Sequence, residues 1–362
     1  MSQVELSNQA PWVEVHVLAA EHGDCIVVSY GVGGKTFRLV VDAGVAKTAD
    51  RLKRVLKQGD DAVWELLVVT HVDLDHIGGT LGLLEDASIA SRFQDIWFNG
   101  RQHLDPPGTE SLGFKDGIAL QTRLSEAGFP WNRAFQDDCG AVRVSVNGEP
   151  AKRTLSGSGA NLTILSPSVR ELARLRTLWD KFTRASQKLP SPVDVEVISP
   201  HLESMGGSGL DIAALAATTT RPDRSAANAS SIAFIFEFAG RRILFSADAH
   251  ADVLCRSSAW LPANDRAVDL FKLPHHGSAY NVTKDLITAF PSTKFVISTN
   301  GGNDHPDDVA LARLVRASPT AELLFNYAVG AFHRWSEEAQ RPGATFTVPA
   351  VQTEDGIVIK LL

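Results

Sequence analysis

The run Leu66-Leu67-Val68-Val69 leads without a break into Thr70-His71-Val72-Asp73-Leu74-Asp75-His76-Ile77-Gly78-Gly79. An uninterrupted apolar run reads as a strand buried on both faces, so its sheet must be covered on either side. Four metal-ligating side chains then fall where the strand opens into a loop, the place where functional groups gather. A tight turn can aim His71, Asp73, Asp75 and His76 at two neighbouring positions. Imidazole combined with carboxylate suits Zn²⁺, with Mn²⁺ as the alternative, rather than a thiolate-selected metal. Gly78 and Gly79 allow the following helix, read over Ile77–Leu84, to pack closely. The competing reading is a capped helix start with Asp75 as cap and the histidines incidental; four ligands this close together argue against it.

Composition narrows the class. The chain has 362 residues with 44% hydrophobic and 21% charged, the balance of an ordinary globular protein long enough for a full core. Three cysteines, Cys25, Cys139 and Cys255, without a CxxC pair, exclude a disulfide framework and a thiolate zinc site. No basic segment followed by an apolar run opens the sequence, and no stretch approaches the ~20 apolar residues of a membrane helix. The expectation is a cytoplasmic protein with no membrane partner. A net charge of −7 argues against a broad nucleic-acid-binding face, though a local groove or a metal can still attract phosphate.

Strands lead in both halves, with helices between them. Trp12–Leu18, Cys25–Tyr30, Phe37–Val41, Leu66–Val69, Ile96–Phe98 and Leu162–Leu165 read as strands of the first part. Ile232–Phe238, Arg242–Phe245, Leu270–Leu273, Phe295–Ser298, Leu323–Phe325 and Ile357–Leu361 read as strands of the second. Helices are expected over Asp50–Lys57, Lys115–Ala127, Val169–Arg184, Asp285–Phe290 and Asp308–Arg316. Residues 185–227 are rich in Pro, Ser, Gly, Ala and Thr and read as a loop or lid, with few large apolar residues for a core of its own. The basic residues of Asp50–Lys57 read as a solvated helix face.

Two further clusters follow strands. Ser246-Ala247-Asp248-Ala249-His250 places Asp248 at a strand end, where it can bridge two ions; taken alone, such an aspartate is usually a turn residue. Leu273-Pro274-His275-His276-Gly277-Ser278 puts adjacent histidines before a glycine.

Together these motifs resemble the metallo-β-lactamase hydrolase superfamily. That pattern is H-x-H-x-D-H, and here Asp73 stands in the second His place. With Gly23-Asp24, Val41-Asp42-Ala43-Gly44, Ser230-Ser231 and Asn303-Asp304-His305-Pro306, the set resembles the metallo-hydrolase domain of bacterial competence (DNA-uptake channel) proteins and their stand-alone soluble relatives. The resemblance implies an α+β fold, a four-layer αββα sandwich, as one domain over 1–362 with the insertion at 185–227. It also implies two divalent ions: His71 and Asp73 on the first, Asp75, His76 and His276 on the second, and Asp248 bridging them. His275 completes the first site or contacts substrate, and Asp42 supports the ligands. The third histidine usual for the first ion has no counterpart at Leu165-Ser166-Pro167-Ser168; His103 is a candidate substitute.

The implied activity is metal-dependent hydrolysis of a phosphodiester by a two-metal-activated hydroxide oriented by Asp248. Asp75, Asp248 and His305 are the expected catalytic residues, with His305 protonating the leaving oxygen. Asn99, Ser278, Asn281 and Asn300 are candidates for supporting the site or donating to the substrate. Expected substrates are single-stranded nucleic acid or a nucleotide-like phosphodiester. The alternatives are a metal-binding regulatory or effector module without turnover, or a hydrolase of another ester or amide class.

Overall fold

The computed structural model describes residues 10–58, 61–104, 115–138, 140–186, 209–351 and 355–362. In chain order the strands are β1 (Trp12–Leu18), β2 (Ile26–Val32), β3 (Lys35–Val41), β4 (Val63–Val68), β5 (Phe93–Trp97), β6 (Ala151–Thr154), β7 (Asn161–Ser166), β8 (Ala233–Phe238), β9 (Arg241–Phe245), β10 (Leu270–Lys272), β11 (Lys294–Ile297), β12 (Glu322–Phe325) and β13 (Gly356–Lys360). They form a six-stranded sheet, β13-β1-β2-β3-β4-β5, and a seven-stranded one, β12-β11-β10-β9-β8-β7-β6. Each sheet begins as an antiparallel meander and continues as parallel strands: β3, β4 and β5 in the first, β9 to β12 in the second.

Strand periodicity sorts the side chains into layers. Val15, Val28, Leu39, Leu66 and Val68 face Ile164, Phe234, Phe236, Ile243 and Phe245 in a core between the sheets. On the other face of the first sheet, Val27, Val40 and Leu67 pack with Leu52, Ile77, Leu84, Leu120 and Trp179 from helices. On the outer face of the second, Leu244, Phe271, Phe295 and Ile297 pack with Leu254, Leu286, Leu311 and Trp335. The order is therefore helix, sheet, sheet, helix, and the α+β sandwich is as expected. The apolar run at 66–69 is uninterrupted because Leu66 and Val68 point to one core and Leu67 and Val69 to the other.

Some elements escaped the sequence. The edge strand β6 alternates half-buried with exposed residues and has no apolar face. The helix Ala251–Ser258 buries Ser257 and Ser258 beside Val253 and Leu254. The helix Gly330–Ala339 buries Glu338 beside Trp335. In both, polar groups on the buried face break the hydrophobic period. Part of the segment read as a lid, 187–208, lies outside the described residues. The remainder is no open loop. The helix Ile212–Ala217 sets Ile212, Leu215 and Ala216 against the outer core of the second sheet. Buried Arg313 donates to Thr218 O and Thr220 Oγ1 on this segment and to Ala279 O and Val282 O on the body, at 2.7–2.9 Å. Among the described residues no helix is long and apolar enough to cross a membrane.

Candidate metal centre

The loops after β4, β9 and β10 leave the carboxyl ends of strands and meet at one rim of the sandwich, the usual place for a site on parallel strands. Ile232, at the entry to β8, donates its N–H to Thr70 O at 2.9 Å and ties the two sheets together at this rim. The helix after β4 spans Leu74–Glu85, starting earlier than expected, so Asp75 and His76 lie in its first turn. The cap position belongs to Asp73, whose side chain makes no capping bond. That leaves its carboxylate free, with Oδ2 3.6 Å from His71 Nε2. Gly79 is required by contact: a Cβ there would lie 2.1 Å from Ala43 O.

Each histidine is held by its Nδ1. Asp42 Oδ1 accepts from Thr70 N, and Asp42 Oδ2 accepts from Thr70 Oγ1 at 2.8 Å and from His76 Nδ1 at 2.7 Å. Thr70 has thereby spent its one proton, so at 3.0 Å it accepts from His71 Nδ1. His276 Nδ1 faces the Ser298 carbonyl at 2.8 Å and can only donate to it. His275 Nδ1 donates to Asn281 Oδ1 at 3.1 Å, while Asn281 Nδ2 donates to Asp223 and to two main-chain carbonyls. With Nδ1–H fixed in all four rings, the four Nε2 lone pairs are left free.

Those lone pairs converge on Asp248. Its carboxylate lies 3.4 Å from His76 Nε2, 3.8 Å from His275 and His276 Nε2, and 3.9 Å from His71 Nε2. Asp75 Oδ2 is 3.3 Å from His276 Nε2 and 3.8 Å from His76 Nε2. Nε2 of His71, His76 and His276 and Oδ1 of Asp248 are buried without a hydrogen-bond partner among the described residues. Buried polar atoms are rarely left so, and several aimed at one point fit a cation. Two triads have ligand atoms within 4.8 Å of one another: His71, His76 and Asp248, and Asp75, His76 and His276. In a third, Asp24, Asp42 and His76, Asp42 holds His76 and the buried ammonium of Lys272 pairs with Asp24 Oδ2, while Asp24 Oδ1 has no hydrogen-bond partner among the described residues.

The model of the metallo-beta-lactamase superfamily matches residues 22–93, the segment from Gly23-Asp24 through the first ligand loop. The metallo-beta-lactamase fold protein YhfI from Bacillus subtilis aligns over 97% of this chain and 100% of its own, at 10% identity and a TM-score of 0.39. The short form of human tRNase Z (ELAC1) aligns over 96% and 98%, at 13% identity and a TM-score of 0.41. No curated protein matches the chain.

The charges of this site balance internally. Burial disfavours ionisation of Asp248, yet His76, His276 and His275 hold its carboxyl well below the ordinary range. Asp75 is lowered in the same way against its burial, by the charges of His76 and His276. Conversely, His76 is raised against its burial by Asp248, Asp75 and Asp42, and His276 by Asp248 and Asp24. Without a metal, imidazolium protons supply the positive charge these carboxylates demand.

Not every expected residue reaches the centre. His305 does: its ring centroid is 5.1 Å from His275, and burial, with help from His275 and His276, pushes its pKa down to about 3. Asn281 orients His275 rather than facing outward. Ser278 Oγ accepts from Tyr280 N, a turn contact. Asn300 spends its amide on Glu21 Oε2 and Gly302 N, and Asn99 on both main-chain groups of Val142. His103 packs edge-on against Trp131, and burial lowers its pKa to about 4. Three residues with roles here were not foreseen. Thr70 stood within the first ligand motif and Lys272 within the strand read over Leu270–Leu273. Asp223, which lies 3.6 Å from His275 Nδ1 and 3.5 Å from His250 Nε2, sits in a low-complexity run that gives no signal.

Proposed function

We propose that this chain is a metal-dependent phosphodiesterase acting on single-stranded nucleic acid or a nucleotide-like phosphodiester. The observation that carries the reading is the convergence of four imidazole Nε2 atoms on one buried carboxylate, with three of them and Asp248 Oδ1 unpartnered. His71 and Asp73 would hold one divalent ion, and Asp75, His76 and His276 the other, with Asp248 shared and His275 completing the set. Zn²⁺ is the first choice for these donors and Mn²⁺ the second. A bound pair of ions supplies a Lewis acid for the phosphoryl oxygen and lowers the pKa of water.

The protein's own work is orientation. Asp42 and Thr70 keep His71 and His76 as Nδ1–H tautomers, and Ser298 O and Asn281 do the same for His276 and His275. His305, buried and neutral, is suited to donate an N–H bond to the leaving oxygen from beside His275. The choice of a phosphodiester follows the likeness of the motif set to the competence-protein metallo-hydrolase domain, including Asp73 in place of a second histidine. The test is hydrolysis of bis(4-nitrophenyl) phosphate by protein loaded with Zn²⁺ or Mn²⁺. Chelator-sensitive turnover with up to two ions bound supports the reading. Two bound ions without turnover would instead favour a metal-binding effector module.

A further inference from the structure

The centre opens on one side. The side chains of His71, His76, His276 and Asp248 are almost wholly buried, whereas that of Asp73 is 41% exposed and that of His275 27%. Substrate must therefore approach over Asp73 and His275. The segment that borders His275 is 218–228, because Asp223 on it reaches to 3.6 Å from His275 Nδ1.

That segment is fixed at both ends. Arg313 clamps Thr218 and Thr220, and Asp223 accepts from Ser225 N, Asn228 Nδ2 and Asn281 Nδ2 at 2.8–3.0 Å. Arg221 and Arg224 flank Asp223, and both are exposed. Neither makes an ion pair or hydrogen bond among the described residues. Elsewhere on the second half, Arg241, Arg242, Arg256 and Arg334 each have a carboxylate within 3.1 Å, whereas Arg266 and Arg316 have none among the described residues. Two exposed, permanently charged arginines thus stand without an ion pair among the described residues on the segment that borders His275, next to a centre holding three aspartates, in a chain of net charge −7. An anion entering over Asp73 meets repulsion unless nearby cations offset it, and the planar guanidinium fork matches phosphate oxygens.

We infer that Arg221 and Arg224 form a phosphate-recognition site, binding a phosphate of a polyanionic substrate next to the one that is hydrolysed. The choice of phosphate as ligand rests on the phosphodiesterase reading, which it deepens by favouring an oligonucleotide over a lone phosphodiester.

The experiment measures binding rather than turnover. A labelled single-stranded oligothymidylate with hydrolysis-resistant phosphorothioate links is titrated into the metal-loaded protein, with fluorescence anisotropy as readout over a range of salt. Arg221→Gln/Arg224→Gln is expected to weaken binding by about tenfold and to reduce the slope of log K against log salt by about one to two. Circular dichroism and metal content should match wild type, since both side chains are exposed and neither makes a hydrogen bond or ion pair among the described residues. No binding by the wild type, or equal affinity and salt slope in the double variant, overturns the proposal. Bis(4-nitrophenyl) phosphate turnover by the wild type judges the phosphodiesterase reading separately. A protein that binds the oligonucleotide through these arginines but turns nothing over keeps this site and loses that reading.

Discussion

On the first sheet, a single loop after β4 carries His71, Asp73, Asp75 and His76 and runs directly into a helix. On the second sheet the same task is divided, with Asp248 after β9 and His275 and His276 after β10. The backbones differ as well. Asp73 enters the first helix at an ordinary φ of −72°, whereas Ala247, His275 and His276 have φ of 47°, 48° and 54°, and Gly277 has 91°. Left-handed backbone at a non-glycine residue costs on the order of 1–2 kcal/mol. The second side accepts this at three positions and holds them with side-chain and main-chain bonds: His276 to Ser298 O, His275 to Asn281, and His275 N to Ala247 O at 3.0 Å. One side presents ligands through relaxed helix geometry, the other through a strained turn kept in place by its neighbours.

The comparison can be broken most severely at Asp248. Asp248→Asn should lose at least one ion and reduce turnover beyond the roughly 100-fold upper end seen for supporting residues. Asp73→Asn, on the more exposed side of the first loop, should do less. Metal analysis and hydrolysis rates on both variants decide it, and an Asp248→Asn protein with both metals and near-normal rate would remove the shared centre. Next come the orienting groups. Asp42→Asn on the first side and Asn281→Ala on the second should each weaken metal binding by roughly 10–100-fold, measured by competition with a chromogenic chelator.

Gly277→Ala tests the strained turn. A Cβ there would sit 2.6 Å from Pro306 Cβ at a left-handed φ. A loss of about 1–3 kcal/mol in denaturant unfolding is expected, together with weaker metal retention.

The smallest effect is on pH dependence. In the metal-free protein His76 and His276 lie above the imidazole value of 6.5. Their contribution to stability is complete below that value and disappears as pH rises through their raised pKa values. Asp248 and Asp75 are lowered, so theirs is present above the ordinary carboxylate range and lost only in stronger acid. Chelated protein should therefore lose thermal stability as pH climbs above neutrality, while metal-loaded protein is spared, because ions replace the imidazolium protons. Parallel melting curves across that range with and without chelator would contradict this.

Legibility in the sequence follows the same division. The first ligand loop could be read directly, because four ligand types crowd one strand end and β4 is apolar on both faces. His275-His276 was readable as an odd pair, but Asp248 looked like any turn aspartate until the whole motif set was assembled. Asn99 and Asn300 stand just after strands, and both spend their amides on nearby loops. Position along a chain says where a polar side chain stands; it does not say which partner it has already met. Asp223 reverses that case: nothing around it in sequence marks it, and three-dimensional neighbours alone give it a role.

Strand β13 carries a different implication, concerning the order of events during synthesis. Its Ile357 and Ile359 pair beside Val17 and Val15 at the edge of the first sheet. Ala19 also donates to Asp355 O, within the loop that leads to Asp24. A ribosome delivers the whole second sheet before it delivers this strand. The nascent first half, ligand loop included, must therefore wait with an open flank until the last pairing arrives, a contact of very long sequence separation that slows folding. The first sheet, whose β4 leads into the first ligand loop, is thus closed along its β1 edge only after every strand of the second sheet has been made.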